Sequence, residues 1–171
     1  MKPEQLRDIQ APLKALYREA PGKAVVTLKA KGEIGGESIA CRVETARAIV
    51  EAGLHPLAGG DGLSLCSGDM LLQALVACAG VTMTAVATAL GLPLESGTVS
   101  AEGEIDGRGS LGMAKDVPVG FRAIRLAFDL RCDASPEQVE TLMKLTERYC
   151  VVFQTLNNRP ELTLGYRVRA D

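Results

Sequence analysis

Hydrophobic and polar positions follow different rhythms along this chain, and each rhythm predicts an element. Leu6, Ile9, Leu13 and Leu16 recur at three- to four-residue intervals, the signature of an amphipathic helix over residues 4–17. Pro12, which has no amide proton to donate, is expected to interrupt it, and Pro21-Gly22 to end it. Residues 23–34 and 37–45 read as two strands joined at Gly35-Gly36, a pair suited to the positive φ of a hairpin. Residues 46–52 fit strand or helix, and 54–68, with Gly59, Gly60 and Gly62, read as a loop. Residues 98–105 read as a strand, followed by a Gly-rich loop to Gly120. Ile124, Leu126, Phe128, Leu130 and Cys132 then alternate with Arg125, Ala127, Asp129 and Arg131, the period of a strand with one buried face. Ser135, Pro136 and Gln138 supply an N-cap, an N1 proline and a capping-box partner for a helix to about Arg148. A further helical turn or two over 150–156, a turn at Asn157-Asn158-Arg159-Pro160 and a closing strand over 162–168 complete the chain. Strands grouped between helices, without regular βαβ alternation, indicate one α+β domain, with residues 1–22 as an N-terminal helical extension.

No residue between Met70 and Leu92 is charged, a length that matches a bilayer span. The segment is nevertheless rich in Ala, Gly and Thr and lacks Trp or Tyr at its ends. It is flanked by Asp61, Asp69 and Glu95, with no nearby Lys or Arg to orient it. A central helix buried by strands and by a second subunit is the expectation, since a helix apolar all round must be enclosed. The 19 Lys and Arg against 21 Asp and Glu give a formal charge of −2 without a basic block, so neither nucleic acid nor membrane is an expected partner. Charged residues stand near the start, where a signal peptide would need its apolar segment, which points to a cytoplasmic location.

Gly107-Arg108-Gly109-Ser110-Leu111-Gly112 spells the dinucleotide pattern letter for letter. That pattern works only where a strand feeds a helix whose N-terminus holds the pyrophosphate, and residues 113–118 predict no helix. With a single histidine, His55, and no Cys-x-x-Cys spacing, no metal and no cofactor is expected. Five cysteines, an odd number beside an ample apolar core, are not a disulfide framework. Cys41 shares a strand face with Ile39 and Val43, and Cys132 with Leu130 and Phe128, so both read as small core residues. Cys66 precedes the central helix, whose dipole favours a thiolate, and is a reserve nucleophile. Cys78, inside Ala-Leu-Val-Ala-Cys-Ala-Gly, has by composition the character of a buried structural thiol. Cys150 has Lys144 and Arg148 nearby, which fits either a lowered pKa or an ordinary solvated helix face.

Two segments taken together carry a resemblance. Ser67-Gly68-Asp69-Met70-Leu71-Leu72-Gln73-Ala74-Leu75-Val76-Ala77-Cys78 resembles the first-cysteine helix of the OsmC/Ohr family, osmotically inducible and organic hydroperoxide resistance proteins. Arg148-Tyr149-Cys150-Val151-Val152-Phe153-Gln154-Thr155-Leu156 resembles that family's second-cysteine segment. Order and separation also agree from about Lys23 onward. Val151, where the family often has Pro, and Asp69, one residue closer to the cysteine than the Ohr acid, are the marks of a divergent branch.

The resemblance implies an OsmC-like fold, with antiparallel sheets around a long central helix in an intertwined homodimer. It also implies a cysteine-based hydroperoxide reductase active in oxidative stress, in which Cys78 becomes a sulfenic acid and Cys150 condenses with it to a disulfide that a dithiol reductant opens. The family's peroxidases use an acid and an Arg at the thiolate. The acid in this position is Asp69, whose other role is to stabilise the helix N-terminus, and the arginines available are Arg18 and Arg42, each equally an ordinary surface charge. Substrates would be small organic hydroperoxides. The competing readings are a non-catalytic redox sensor, or a binding module holding a small hydrophobic ligand in the same apolar site.

Overall fold

The computed structural model describes residues 3–35, 41–43, 52–63 and 65–168. Its sheet is built on β1 (Val25–Gly35), β2 (Cys41–Val43), β5 (Leu94–Asp106) and β6 (Phe121–Cys132), in the order β2-β1-β5-β6 with every pair antiparallel. β1 and β2 pair with Ile34 opposite Cys41, as the Gly35-Gly36 hairpin requires; the turn itself and residues 46–51 lie outside the described residues. A second, two-residue parallel pair, β3 (Ala52–Gly53) with β4 (Leu65–Cys66), brackets the glycine-rich loop, which also contains a 3-10 turn at Pro56–Ala58.

Alternation decides which side of the sheet is packed. On β6, Ile124, Leu126, Phe128 and Leu130 turn to the core while the residues between them are exposed. Val99, Ala101 and Gly103 do the same on β5. On the opposite face Arg125 bridges Glu104 at 2.9 Å and Glu102 at 3.6 Å, a solvated pair worth little to stability.

The 24-residue α2 (Ser67–Leu90) lies on the packed face against β1 and β5, with α4 (Pro136–Tyr149) beside it. Cys66 is its N-cap, its Sγ accepting from the Gly68 amide at 3.4 Å, and Gly91 ends it in the left-handed region at φ 67°, where a side chain would be strained. Leu72, Leu75, Val76, Ala79, Gly80, Met83 and Ala87 are buried, but Met70, Leu71, Ala74 and Val81 are open to solvent. Within the single chain the strands and α4 cover one face of α2, and the part of the enclosure expected from a second subunit lies outside a one-chain structure. α4 begins with the anticipated capping box. The Ser135 Oγ accepts from the Gln138 amide at 3.3 Å and the Gln138 Oε1 accepts from the Ser135 amide at 2.9 Å.

Three expectations are corrected. α1 (Pro3–Glu19) runs straight through Pro12. It carries Tyr17 into a small second cluster with Ala24 and Leu111, where the Tyr17 hydroxyl donates to the Leu57 carbonyl at 2.8 Å. The Gly-rich segment opens one helical turn, α3 (Gly107–Ser110), directly after β5. Buried Asp106 caps that turn, its Oδ1 accepting from the Arg108 amide, and forks onto the Arg108 guanidinium, Oδ2 to Nη2 2.6 Å. Arg108 holds this carboxyl below its usual range. Finally, residues 162–168 form no strand within the chain and lie exposed.

Candidate functional site

One helical break and one helical stripe bring Cys78 and Cys150 together. Leu142, Thr146 and Cys150, spaced by four, are the buried face that α4 turns toward α2, and Thr146 Oγ1 approaches the Met83 sulfur at 3.7 Å. At Cys150 the backbone leaves the helical region (φ −71°, ψ 103°), ending α4 and starting α5 (Val151–Asn157) in a new direction. This corner sets the Cys150 side chain against α2 and leaves the first amides of α5 without intrahelical partners.

Those amides turn to Cys78. Burial raises the Cys78 thiol pKa, but hydrogen bonds from the Val152 amide, the Cys150 thiol, the Thr82 hydroxyl and the Val151 amide outweigh it, and the net displacement is downward. Cys150 goes the other way. Burial first, and then its role as donor to Cys78 and the neighbouring negative sulfur, push it up to about 11 against the opposing Phe153 and Val152 amides. One thiol is thus prepared to ionise and the other to stay protonated while donating to it, the division of labour an attacking and a resolving cysteine require. Both are free thiols in this structure.

The remaining sequence-predicted residues lie elsewhere. Asp69, in the first turn of α2, accepts from the Cys66 amide and faces His55. Burial raises its carboxyl, with His55 and that amide opposing, and it is absent from the groups that act on Cys78. His55 Nδ1 accepts from the Leu57 amide at 3.0 Å and caps the 3-10 turn. Arg18 is exposed in the last turn of α1, and Arg42 falls on β2 with its side chain outside the described residues, as does that of Cys41. Cys132 and Cys66 are half-buried. The cations near Cys150 are engaged with other partners: Lys144 pairs with Glu140 at 2.6 Å, and Arg148 lies 5.5 Å over the Tyr149 ring. Neither lowers the Cys150 thiol. Thr82 and the amides of Val151 and Val152 are absent from the sequence reading. Thr82 was signalled by its i+4 spacing from Cys78; the amides carry no residue-type signal. Among the described residues no three His, Cys, Asp or Glu side chains converge as metal ligands.

A mixed α+β fold with an antiparallel sheet packed on one face and two free thiols brought together beside its central helix sets the class, and the comparisons narrow it. Residues 60–165 match the family model described as OsmC-like protein, which takes in both cysteine segments, and the chain belongs to that family. The fold is similar to the crystal structure of an OsmC-like hydroperoxide resistance protein from Jannaschia sp. CCS1. That likeness has a TM-score of 0.56 and 18% identity, and it covers 86% of this chain and 95% of the other. It is also similar to an OsmC-like protein from Mycoplasma pneumoniae, with TM-score 0.55, 16% identity and coverage of 75% and 86% respectively. No curated protein matches the chain.

Proposed function

We propose that this protein is a thiol-dependent peroxidase of small organic hydroperoxides that works as a homodimer. The observation that carries the reading is that Cys150, at the buried α4–α5 corner, and Cys78 of α2 pack into one cluster, where the Cys78 thiol is drawn down and the Cys150 thiol pushed up. Membership of the OsmC-like family supports the same chemistry.

In the proposed cycle the Cys78 thiolate attacks the distal oxygen of R–O–O–H. The S–O bond forms as the O–O bond breaks; the alkoxide leaves with a proton as ROH, and Cys78 becomes a sulfenic acid. The Val151 and Val152 amides, pointed at the sulfur, hold the thiolate in line before attack. The Cys150 thiol then loses its proton, its sulfur attacks the Cys78 sulfur and water departs, leaving a disulfide. An external dithiol restores both thiols by exchange and is itself oxidised. Because Cys150 packs in the same cluster as Cys78, condensation competes with over-oxidation.

The test is peroxide consumption with dithiothreitol as the dithiol and cumene hydroperoxide as substrate. Cys78→Ser is expected to abolish turnover, and Cys150→Ser to allow one turnover that stops at the sulfenic acid. Unchanged turnover in Cys78→Ser would refute the assignment. No consumption by the parent protein would leave the thiol pair as a sensor.

A further inference from the structure

Among the described residues two buried side chains are polar: Asp106, which forks onto Arg108, and Thr146. Thr146 stands in the stripe that α4 turns to α2, with Leu142 and Cys150 one turn to either side, and is 2% exposed. A valine has the same shape and avoids the cost of taking a hydroxyl out of water, so packing alone gives no reason for threonine here. The hydroxyl is also used differently from its neighbours. Thr84, Thr88 and Thr141 each donate to the carbonyl four residues back in their own helix, at 3.0, 2.8 and 2.9 Å, the common habit of a helical threonine. Thr146 instead donates to the other helix, to the Met83 sulfur of α2 at 3.7 Å.

We infer that Thr146 and Met83 are positioning residues for the thiol pair: their hydrogen bond fixes the rotation and register of α4 on α2, and through the Thr146 backbone it holds the Cys150 sulfur in place for disulfide closure with Cys78. The inference deepens the proposed redox pairing of Cys78 with Cys150 and rests on it.

The path from Met83 to Cys150 is short and made of bonds with direction. Met83 accepts from the Thr146 hydroxyl, and the Thr146 carbonyl accepts from the Cys150 amide at 2.9 Å. Cys150 is where the backbone leaves the helix, so Thr146 is the last buried point of α4 before the corner that presents the thiol. Along the helix axes Thr146 and Cys150 are about 6 Å apart, and Met83 and Cys78 about 7.5 Å, which puts the anchor roughly one turn from the reacting sulfurs. Burial of Leu142 presses α4 onto the core, but apolar attraction has no direction and tolerates sliding. A thioether is a weak acceptor, so the hydroxyl returns little net stability; its contribution is a single orientation. Orientation matters for closure. A disulfide forms only over a narrow range of Cα separations and torsions, and a displacement of about 1 Å between reacting groups costs up to roughly 10²-fold in rate.

The experiment follows the Cys78 sulfenic acid and the Cys78–Cys150 disulfide by quenched-flow mass spectrometry after cumene hydroperoxide is added to the reduced full chain. Urea midpoints are measured on the same proteins. Thr146→Val keeps the shape and loses the donor. Its disulfide step is expected to slow about tenfold, with sulfenic acid accumulating on Cys78, while its urea midpoint stays near the parent's. Thr146→Ser keeps the donor and loses a buried methyl, so it is expected to close at the parent's rate although its urea midpoint falls. Met83→Leu, without the acceptor, is expected to match Thr146→Val, and the two substitutions together to be no slower than either alone. Closure at the parent's rate in Thr146→Val or in Met83→Leu would overturn the inference. So would slow closure in Thr146→Ser alone, which is the mark of a packing role. If the parent forms no sulfenic acid, the peroxidase reading fails by itself, and equilibration of the same proteins with glutathione redox buffers reads the positioning directly. An effective concentration of the Cys78–Cys150 pair lowered by Thr146→Val and kept by Thr146→Ser upholds it, and equal values in all three proteins overturn it.

Discussion

At the residue scale the proposed chemistry rests on the asymmetry between two like side chains. At Cys78 the Val152 and Val151 amides, the Cys150 thiol and the Thr82 hydroxyl outweigh burial and draw the thiol down; at Cys150 burial and the neighbouring Cys78 outweigh the Phe153 and Val152 amides and push it up. Iodoacetamide labelling of Cys78 against pH is therefore expected to follow an apparent pKa below the ordinary thiol value of about 8.5. Cys150→Ala removes a donor and is expected to shift that profile upward, whereas Cys150→Ser keeps a hydroxyl donor and restores much of the shift. A profile identical in all three proteins would show that the pair is not coupled. Thr82→Val is expected to move the profile in the same direction as Cys150→Ala, since it removes another of the donors. Much of this was hidden in the sequence. Both cysteines were legible through the motifs around them, but their opposite displacements arise from a backbone corner at Cys150 and from amides that every residue possesses. Lys144 and Arg148 invite a lowered pKa at Cys150, and the structure spends both on Glu140 and Tyr149 instead.

At the element scale α4 positions Cys150, and its stability comes from a cap at one end and a buried stripe along its length. Ser135→Ala removes one half of the capping box and is expected to cost about 1 kcal/mol in urea unfolding. Leu142→Ala empties a fully buried position against α2 and is expected to cost roughly 2 to 5 kcal/mol. If Leu142→Ala cost no more than Ser135→Ala, α4 would not be packed as described. Elements with strong local signals were read correctly from sequence: the alternation of β6, the Ser135 cap, the uncharged run that became α2. Local signals failed where context overrode them. Pro12 sits within an unbroken α1, and Asp106 with Arg108 organises a helical turn where glycine content alone indicates a loop.

At the scale of the whole molecule two surfaces remain bare, one face of α2 and the apolar side of residues 162–168. The sequence pattern assigns the first to strands and a second subunit and the second to a sheet; in the single chain neither is covered. Global stability also carries the signature of the thiol pair. Cys150 has a folded pKa of about 11, above its unfolded value of about 8.5, so its contribution is complete below the unfolded value and is lost as pH rises toward 11. Cys78, depressed in the fold, contributes above its unfolded value and loses that contribution as pH falls through its folded pKa. Urea midpoints are accordingly expected to fall between pH 8 and 10.5 more steeply in the parent than in Cys150→Ala. Equal slopes would place the Cys150 thiol in contact with water.

The central claim is that Cys78 and Cys150 act as one redox unit, and thiol mapping by mass spectrometry tests it most directly. The reduced protein receives one equivalent of an organic hydroperoxide, is quenched with an alkylating agent and digested. The account expects a Cys78–Cys150 disulfide formed well ahead of any change at Cys66 or Cys132, and a sulfenic acid trapped on Cys78 in the Cys150→Ser protein. Oxidation of all the cysteines at the rate of a free thiol, or a disulfide that excludes Cys78, would contradict it.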